Sequence, residues 1–366
     1  MKILFVLENY YPNIGGVETL FKNLTEQLVK KGFEITVVTN RFSKDLAKKE
    51  IINNIKIIRL PFYNRYLFTF LAFFPLLKYA RESQLIHTTS YNAAIPAYLS
   101  GLLTSTPVIV TFHEVWSKLW FRLPYMNKIS ASLHYLFEWF LLKLNFYKWI
   151  AVSDYTNASL IDAGVQEEKV MTIHNGIEYV EFEKVSQKEG NDHSIFNFIY
   201  FGRLGISKGL DILLPAIKLL SQKRDDFKLT MVIPKTPTVF YNRITQNIEN
   251  LDIGKHIEVR SHLPWEVLKK TISQSNAALV PSYSEGFCFS AVEAMAMGVP
   301  VISSNKGALA EVISGKHLIM ENHDAQSLAD CMDKALNDKW NQTPKRKYPL
   351  HDSIEKYISL YNQIKL

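Results

Sequence analysis

Ala277-Ala278-Leu279-Val280-Pro281, then Ser284-Glu285-Gly286-Phe287-Cys288-Phe289-Ser290-Ala291-Val292-Glu293, then Ala294-Met295-Ala296-Met297-Gly298-Val299-Pro300-Val301, is the stretch from which the fold is read. Its first four residues are an apolar run closed by proline, which reads as a strand. The alanine- and methionine-rich residues that follow favour a helix stopping at Gly298. A glycine turn between the two places its flanking groups beyond the strand's carboxyl end, where open parallel sheets bind ligands. Glu285 is expected in that loop and Glu293 about a turn into the helix. Taken alone, the pattern is equally compatible with ordinary turn chemistry and a glutamate favoured by the helix dipole.

The alternation extends through the chain. Met1 to Leu7 reads as a strand, and Val17 to Lys31 carries Leu20, Phe21, Leu24 and Leu28 at helical spacing until Gly32. Glu34 to Thr39, Ile55 to Ile58, Leu85 to His87 and Val108 to Thr111 continue the strands. After Gly176 the pattern restarts with strands at Phe196 to Phe201, Leu229 to Ile233, Ile257 to Val259, Ala277 to Val280 and Val299 to Ser303, and a helix at Leu210 to Leu220. Strand and helix in turn imply an α/β fold with parallel sheets covered on both faces. A chain of 366 residues divides naturally into two domains. The expected organisation is a Rossmann-like domain over 1–180 that takes the acceptor, a polar linker over 181–193 and a second Rossmann-like domain over 194–350 that takes the donor. The two are expected to face one another across a cleft, and a terminal helix over 351–366 could pack back on the first.

Composition narrows the class. Charged residues are 21% and hydrophobic ones 47%, a folded composition. Cys288 and Cys331 are the only cysteines, which excludes a disulfide framework and suits a reducing, cytoplasmic setting. Glu8 interrupts the first apolar run before a signal-peptide core could form. The net charge of +7 is uneven: residues 1–180 hold 19 Lys and Arg against 14 Asp and Glu, the remainder 23 against 21. The cations are scattered and no nucleic-acid motif accompanies them, so no nucleic-acid partner is expected.

The loops at the strands' carboxyl ends carry the chemistry. Gly202-Arg203-Leu204-Gly205-Ile206-Ser207-Lys208-Gly209 puts two cations on a glycine-rich loop ahead of a helix, a setting for a diphosphate. Gly15-Gly16-Val17-Glu18 sits between the first strand and its helix, and paired glycines let a ligand approach the backbone. His113 and Glu114 follow the strand at Val108; a histidine there can hydrogen-bond a hydroxyl, although one histidine is more often structural.

Tyr11-Pro12-Asn13-Ile14-Gly15-Gly16-Val17-Glu18, Gly202-Arg203 with Ser207-Lys208-Gly209, and the Glu285 to Val301 stretch together resemble the retaining glycosyltransferases of family 4, which have the two-domain GT-B fold. The resemblance covers nearly the whole chain and is most specific from Pro281 to Glu311, where Gly307 and Glu311 also fit. It implies that Arg203 and Lys208 bind the donor's diphosphate and stabilise it as a leaving group. The amides after Gly286, at Phe287, Cys288 and Ser290, would add hydrogen bonds, and Glu293 would hold the ribose hydroxyls. Glu285 would contact the sugar with His113 near its other edge, and Gly15 and Gly16 would admit donor phosphate or acceptor. The family generally needs no divalent metal, and this sequence has no Asp-x-Asp site or His and Cys cluster of metal-ligand spacing. One departure is Pro234-Lys235-Thr236-Pro237, where the family usually has a glycine turn near the nucleobase; the base is therefore left open.

The acceptor is expected to be a hydroxyl, with a lipid-linked glycan or polysaccharide precursor favoured. The segments Pro61 to Lys78 and Trp116 to Trp149 interleave Phe, Tyr, Trp and Leu with Lys and Arg. Both fall short of the roughly 20 uncharged residues that span a bilayer, but can lie at the inner face of a membrane, line a lipid groove, or pack as core helices. Competing readings are a glycoside hydrolase, which has no use for Arg203 and Lys208, a sugar-nucleotide epimerase, and a non-catalytic sugar-nucleotide-binding subunit. A dehydrogenase is disfavoured because neither glycine loop reads G-x-G-x-x-G.

Overall fold

The computed structural model describes residues 1–13, 15–183, 195–261 and 263–364. They form two compact units, one of Met1–Phe121, Lys128–Gly176 and Leu350–Leu366, the other of Arg122–Asn127 and Ile177–Pro349.

The first unit is built on an eight-stranded sheet in the order β3-β4-β2-β1-β5-β6-β7-β8. Its strands are β1 (Lys2–Leu7), β2 (Glu34–Asn40), β3 (Lys49–Ile52), β4 (Ile55–Leu60), β5 (Leu85–Thr89), β6 (Val108–Phe112), β7 (Lys148–Ala151) and β8 (Val170–Thr172). All neighbours are parallel except β3 and β4, a hairpin that the sequence reading did not anticipate. Its turn was legible: Asn53 and Asn54 both take left-handed backbone, φ 49° and 63°, as a two-residue hairpin turn requires. The helices are α1 (Gly16–Lys30), α2 (Arg65–Leu71), α3 (Phe73–Arg81), α4 (Ala94–Thr104), α5 (Lys128–Leu141) and α6 (Asp154–Asp162). Phe68, Leu76, Ala97, Leu141 and Leu160 join Leu4, Val38, Ile86 and Val110 in one core, so α2 through α6 cover the same face of the sheet.

The second unit has a seven-stranded sheet in the order β11-β10-β9-β12-β13-β14-β15. Its strands are β9 (Phe196–Phe201), β10 (Phe227–Val232), β11 (Ile257–Arg260), β12 (Ala277–Val280), β13 (Val301–Ser303), β14 (Lys316–Ile319) and β15 (Asn341–Gln342), parallel except for the β14–β15 pair. The helices are α7 (Val180–Glu183), α8 (Leu210–Ser221), α9 (Thr238–Asn250), α10 (Trp265–Ser273), α11 (Phe289–Ala296), α12 (Leu309–Val312) and α13 (Ala325–Leu336). Of the expected linker, Glu181 to Glu183 form the end of α7 rather than a loop, and residues 184–193 lie outside the described residues.

The last helix, α14 (Leu350–Gln363), belongs to the first unit. Tyr361 Oη lies 2.7 Å from His87 Nδ1, His87 Nε2 lies 2.8 Å from Thr111 Oγ1, and Tyr357 Oη lies 3.2 Å from that same hydroxyl. Burial, with His113 as a second cause, pushes the His87 imidazole down to about 3, so it stays neutral in this interior network. Among the described residues no helix is long and apolar enough to cross a membrane.

Candidate functional site

The strand order of the second unit decides which loops meet. Chain direction around the sheet reverses between β9 and β12, the switch point at which open parallel sheets leave a crevice beyond their carboxyl ends. The loop after β9 carries Arg203 and Lys208; the loop after β12 carries Ser282, Glu285 and Gly286. Sequence positions 77 apart are thereby joined, with Lys208 Nζ donating to Glu285 Oε1 at 2.8 Å. Ser282 Oγ donates to the same carboxylate oxygen at 2.7 Å, and Tyr283 N donates to Ser207 O at 2.7 Å, tying the loops along their backbones.

Two glycines make this approach feasible. Gly209 has φ +70°, and a Cβ there would lie 2.0 Å from Pro281 O, so any side chain would push the loops apart. Gly307, in the loop after β13, has φ +65°, and its Cβ would lie 2.4 Å from Glu285 O. Ala308 N donates to that carbonyl at 2.7 Å, so three consecutive strand ends fix the Glu285 backbone.

Electrostatics follow from this packing. Burial works to lower the Lys208 pKa, but the Glu285 carboxylate and Cys288 beside it outweigh that and raise it above the ordinary lysine value, so the ammonium is charged at neutral pH. Glu285 Oε2 has no hydrogen-bond partner among the described residues, which leaves one acceptor oxygen for a ligand. Arg203 is exposed and forms no ion pair among the described residues. Glu293 stands four residues into α11, half-buried and without an ion pair among the described residues, and burial pushes its carboxyl up to about 7.

The side chains of Phe287 and Cys288, in the same loop, are taken up inside the protein. Phe287 is buried, with Phe289 and Tyr348 each at 5.2 Å between ring centroids. Cys288 occupies the position before α11 with φ +74°; its thiol lies 3.4 Å from Ser290 Oγ, and burial with the Glu285 charge pushes it up to about 12. A thiol so protonated is no nucleophile. The first amides of α11 have no partner within the helix, so this end offers an anion hydrogen-bond donors.

In the first unit Gly15 is the residue before α1, with extended backbone, and Gly16 opens that helix. The carboxylate of Glu18 is buried in the first turn, where Asn13 Nδ2 donates to one oxygen at 3.3 Å. His113 directly follows β6, half-buried, its ring edge-on to Phe21 at 6.2 Å. Residues that sequence reasoning passed over include Ser282, which was visible only as one serine in Pro281-Ser282-Tyr283-Ser284, and Glu138. Burial raises the Glu138 carboxyl, and its oxygens accept from Trp116 N (2.8 Å), Ser117 N (2.6 Å), Tyr91 Oη (2.9 Å) and Trp120 Nε1 (3.2 Å). It thus fixes the segment that follows His113 and Glu114; a single glutamate among aromatic residues carries no local signal of this.

Comparison with known proteins fits this geometry. Residues 14–180 match the family model described as Glycosyltransferase Family 4, and residues 181–350 match the one described as Glycosyl transferases group 1. A human component of phosphatidylinositol N-acetylglucosaminyltransferase is 23% identical over 373 residues, 98% of this chain and 73% of the relative. Sucrose-phosphate synthase of Thermosynechococcus elongatus superposes with a TM-score of 0.81 at 20% identity, over 99% of this chain and 98% of its own. HepE of Anabaena, solved in complex with UDP-glucose, gives 0.77 at 17% identity over 100% of both. With family models running from residue 14 to residue 350 and this fold shared along its length, the chain belongs to the family 4, group 1 glycosyltransferases and has the two-domain GT-B fold.

Proposed function

We propose that the protein transfers a hexose-type sugar from a nucleotide diphosphate sugar to a hydroxyl on a lipid-linked acceptor, with retention of the anomeric configuration. The observation that carries the donor half is the Lys208–Glu285 pair at the β9/β12 switch point, beside an Arg203 that no carboxylate neutralises among the described residues. Lys208 and Arg203 meet the diphosphate and stabilise the negative charge that grows on it as the glycosidic bond breaks. The α11 amides add donors to the same group. Glu285 holds a sugar hydroxyl through its unshared oxygen, and Glu293 accepts from the ribose hydroxyls. On the first unit, the family resemblance offers His113 for a sugar hydroxyl and the Gly15-Gly16 turn for the acceptor. With two cations on the leaving group, no divalent metal is required.

The lipid-linked acceptor is supported by the human relative, whose name specifies phosphatidylinositol, and retention by the family resemblance. The test is a panel of UDP and GDP hexoses assayed by thermal shift, since a bound donor raises the melting temperature. The stabilising donor is then incubated with lipid acceptors with and without EDTA, and the product's anomeric configuration is read by NMR. Turnover with retention and no loss in EDTA is expected. Donor binding without any transfer would favour the non-catalytic binding protein, and donor conversion without acceptor would favour the epimerase.

A further inference from the structure

Helix α5 is amphipathic in the reverse sense. It buries only Ala131, Glu138 and Leu141. Ile129, Leu133, Leu136 and Phe140 recur at helical spacing, and Ile129 is 76%, Leu133 63% and Leu136 56% exposed. Withholding one such side chain from water contributes roughly 1.5–3 kcal/mol, so a row of them in solvent implies that something covers them. The neighbouring helices on this side of the sheet continue the pattern, with Phe74 on α3 and Leu102 and Leu103 on α4 facing outward.

Charge identifies what covers them. Residues 116–149 hold five Lys and Arg against one acid, Glu138, and that carboxylate is buried among four donors and takes no part in the surface. Residues 61–81, which supply α2 and α3, hold three cations and no acid. Lys128 begins α5, and Lys143 lies just beyond its end with Nζ 6.0 Å from the exposed Trp139 ring. Apolar side chains between cations, with an indole at the rim, match the depth profile of a bilayer surface: acyl chains, the interface that Trp prefers, then anionic headgroups.

We propose that the outward face of α5, continued by α3 and α4, docks the first unit onto an anionic lipid bilayer. This contact goes beyond the sugar-transfer reading and stands without it, since none of its residues belongs to the donor site.

Flotation of the full chain with vesicles tests it, using phosphatidylcholine alone and phosphatidylcholine with an equal part of phosphatidylglycerol. The wild type should float with the anionic vesicles and not with the neutral ones, and should dissociate at high salt. The Leu133→Glu/Leu136→Glu double variant and, separately, Lys128→Glu/Lys143→Glu should each weaken partitioning at least about tenfold. Both pairs are exposed, so melting temperatures should match the wild type; Leu133→Ser/Leu136→Ser, which adds no charge, should weaken binding in the same direction. A wild type that stays with the unbound protein, or double variants that float as it does, would overturn the proposal. So would a wild-type dimer in light scattering that the leucine variants turn monomeric while vesicles remain unbound, which would assign the face to a second copy. Donor binding by thermal shift on the same preparations separates failure of this surface from failure of the sugar-transfer reading.

Discussion

Helices α8 and α5 are both rich in large apolar residues, yet they use them in opposite ways. In α8, Leu210, Ile212, Leu213, Leu214, Ile217 and Leu220 are all buried in the core of the second unit, and its polar residues Asp211, Lys218 and Ser221 are only half-buried. In α5 Ile129, Leu133, Leu136, Trp139 and Phe140 face out, while the one acidic residue, Glu138, is inside beside Leu141. Composition alone cannot tell these apart; what separates them is which face of each helix the sheet covers. A helix whose apolar stripe matches the sheet closes a core, and one whose stripe is turned away keeps that surface for a partner.

The sharpest way to break the contrast is at the loop that α8 anchors. Lys208→Ala should lower kcat about 10²–10³-fold while weakening donor binding much less, because its charge acts most as the leaving group forms. Steady-state kinetics with titrated donor check this, and unchanged turnover would remove Lys208 from the mechanism. Next comes a matched pair of truncations. Leu213→Ala in α8, where the side chain is 0% exposed, should destabilise the second unit by about 2–5 kcal/mol in urea unfolding. Leu133→Ala in α5, 63% exposed, should stay within about 0.5 kcal/mol. Equal costs would mean that α5 is packed after all.

The smallest effect is a pH dependence at Glu293. Its carboxyl stands at about 7 in the folded protein against 4.5 ordinarily, so between those values the folded chain holds a proton that the unfolded chain has released. Glu293 by itself should therefore cost stability as pH rises from about 5 to 8, by at most about 3 kcal/mol. His87, held neutral in the fold, works in the opposite direction and adds stability as pH rises towards its ordinary value of 6.5. The Glu293 effect is therefore read as the difference in melting temperature between the wild type and Glu293→Gln, which should grow in the variant's favour from about pH 5 to 8. A difference that does not change with pH would assign the effect to another group.

Much of this was legible. Phe196–Phe201 and Ala277–Val280 stand as strands with the bounds their apolar runs suggested, and Glu293 lies one turn into its helix. The strands β7, β8 and β14 were not read, because Lys-Trp-Ile-Ala, Val-Met-Thr and Lys-His-Leu-Ile each give part of a run of three or four to a charged or polar residue, unlike the wholly apolar Ala277–Val280. The candidate site was legible as residue types but not as contacts. Both Lys208 and Glu285 could be singled out, but their pairing depends on β9 and β12 being sheet neighbours, a fact of strand order that no local pattern encodes. The outward turn of α5 was hidden for a related reason: its spacing is equally that of a core helix.

The partners of His87 bear on how the chain comes into being. Tyr361 lies 274 residues after it, so the imidazole's interior network cannot close until that distant tyrosine has left the ribosome. The second unit, contiguous over most of its length, can fold as it emerges, whereas the first must wait with an open slot on its sheet. A chain cut short before Leu350 would thus be damaged at the opposite end from the deletion, and cells that clear nascent fragments would see the amino-terminal half as the unfinished one.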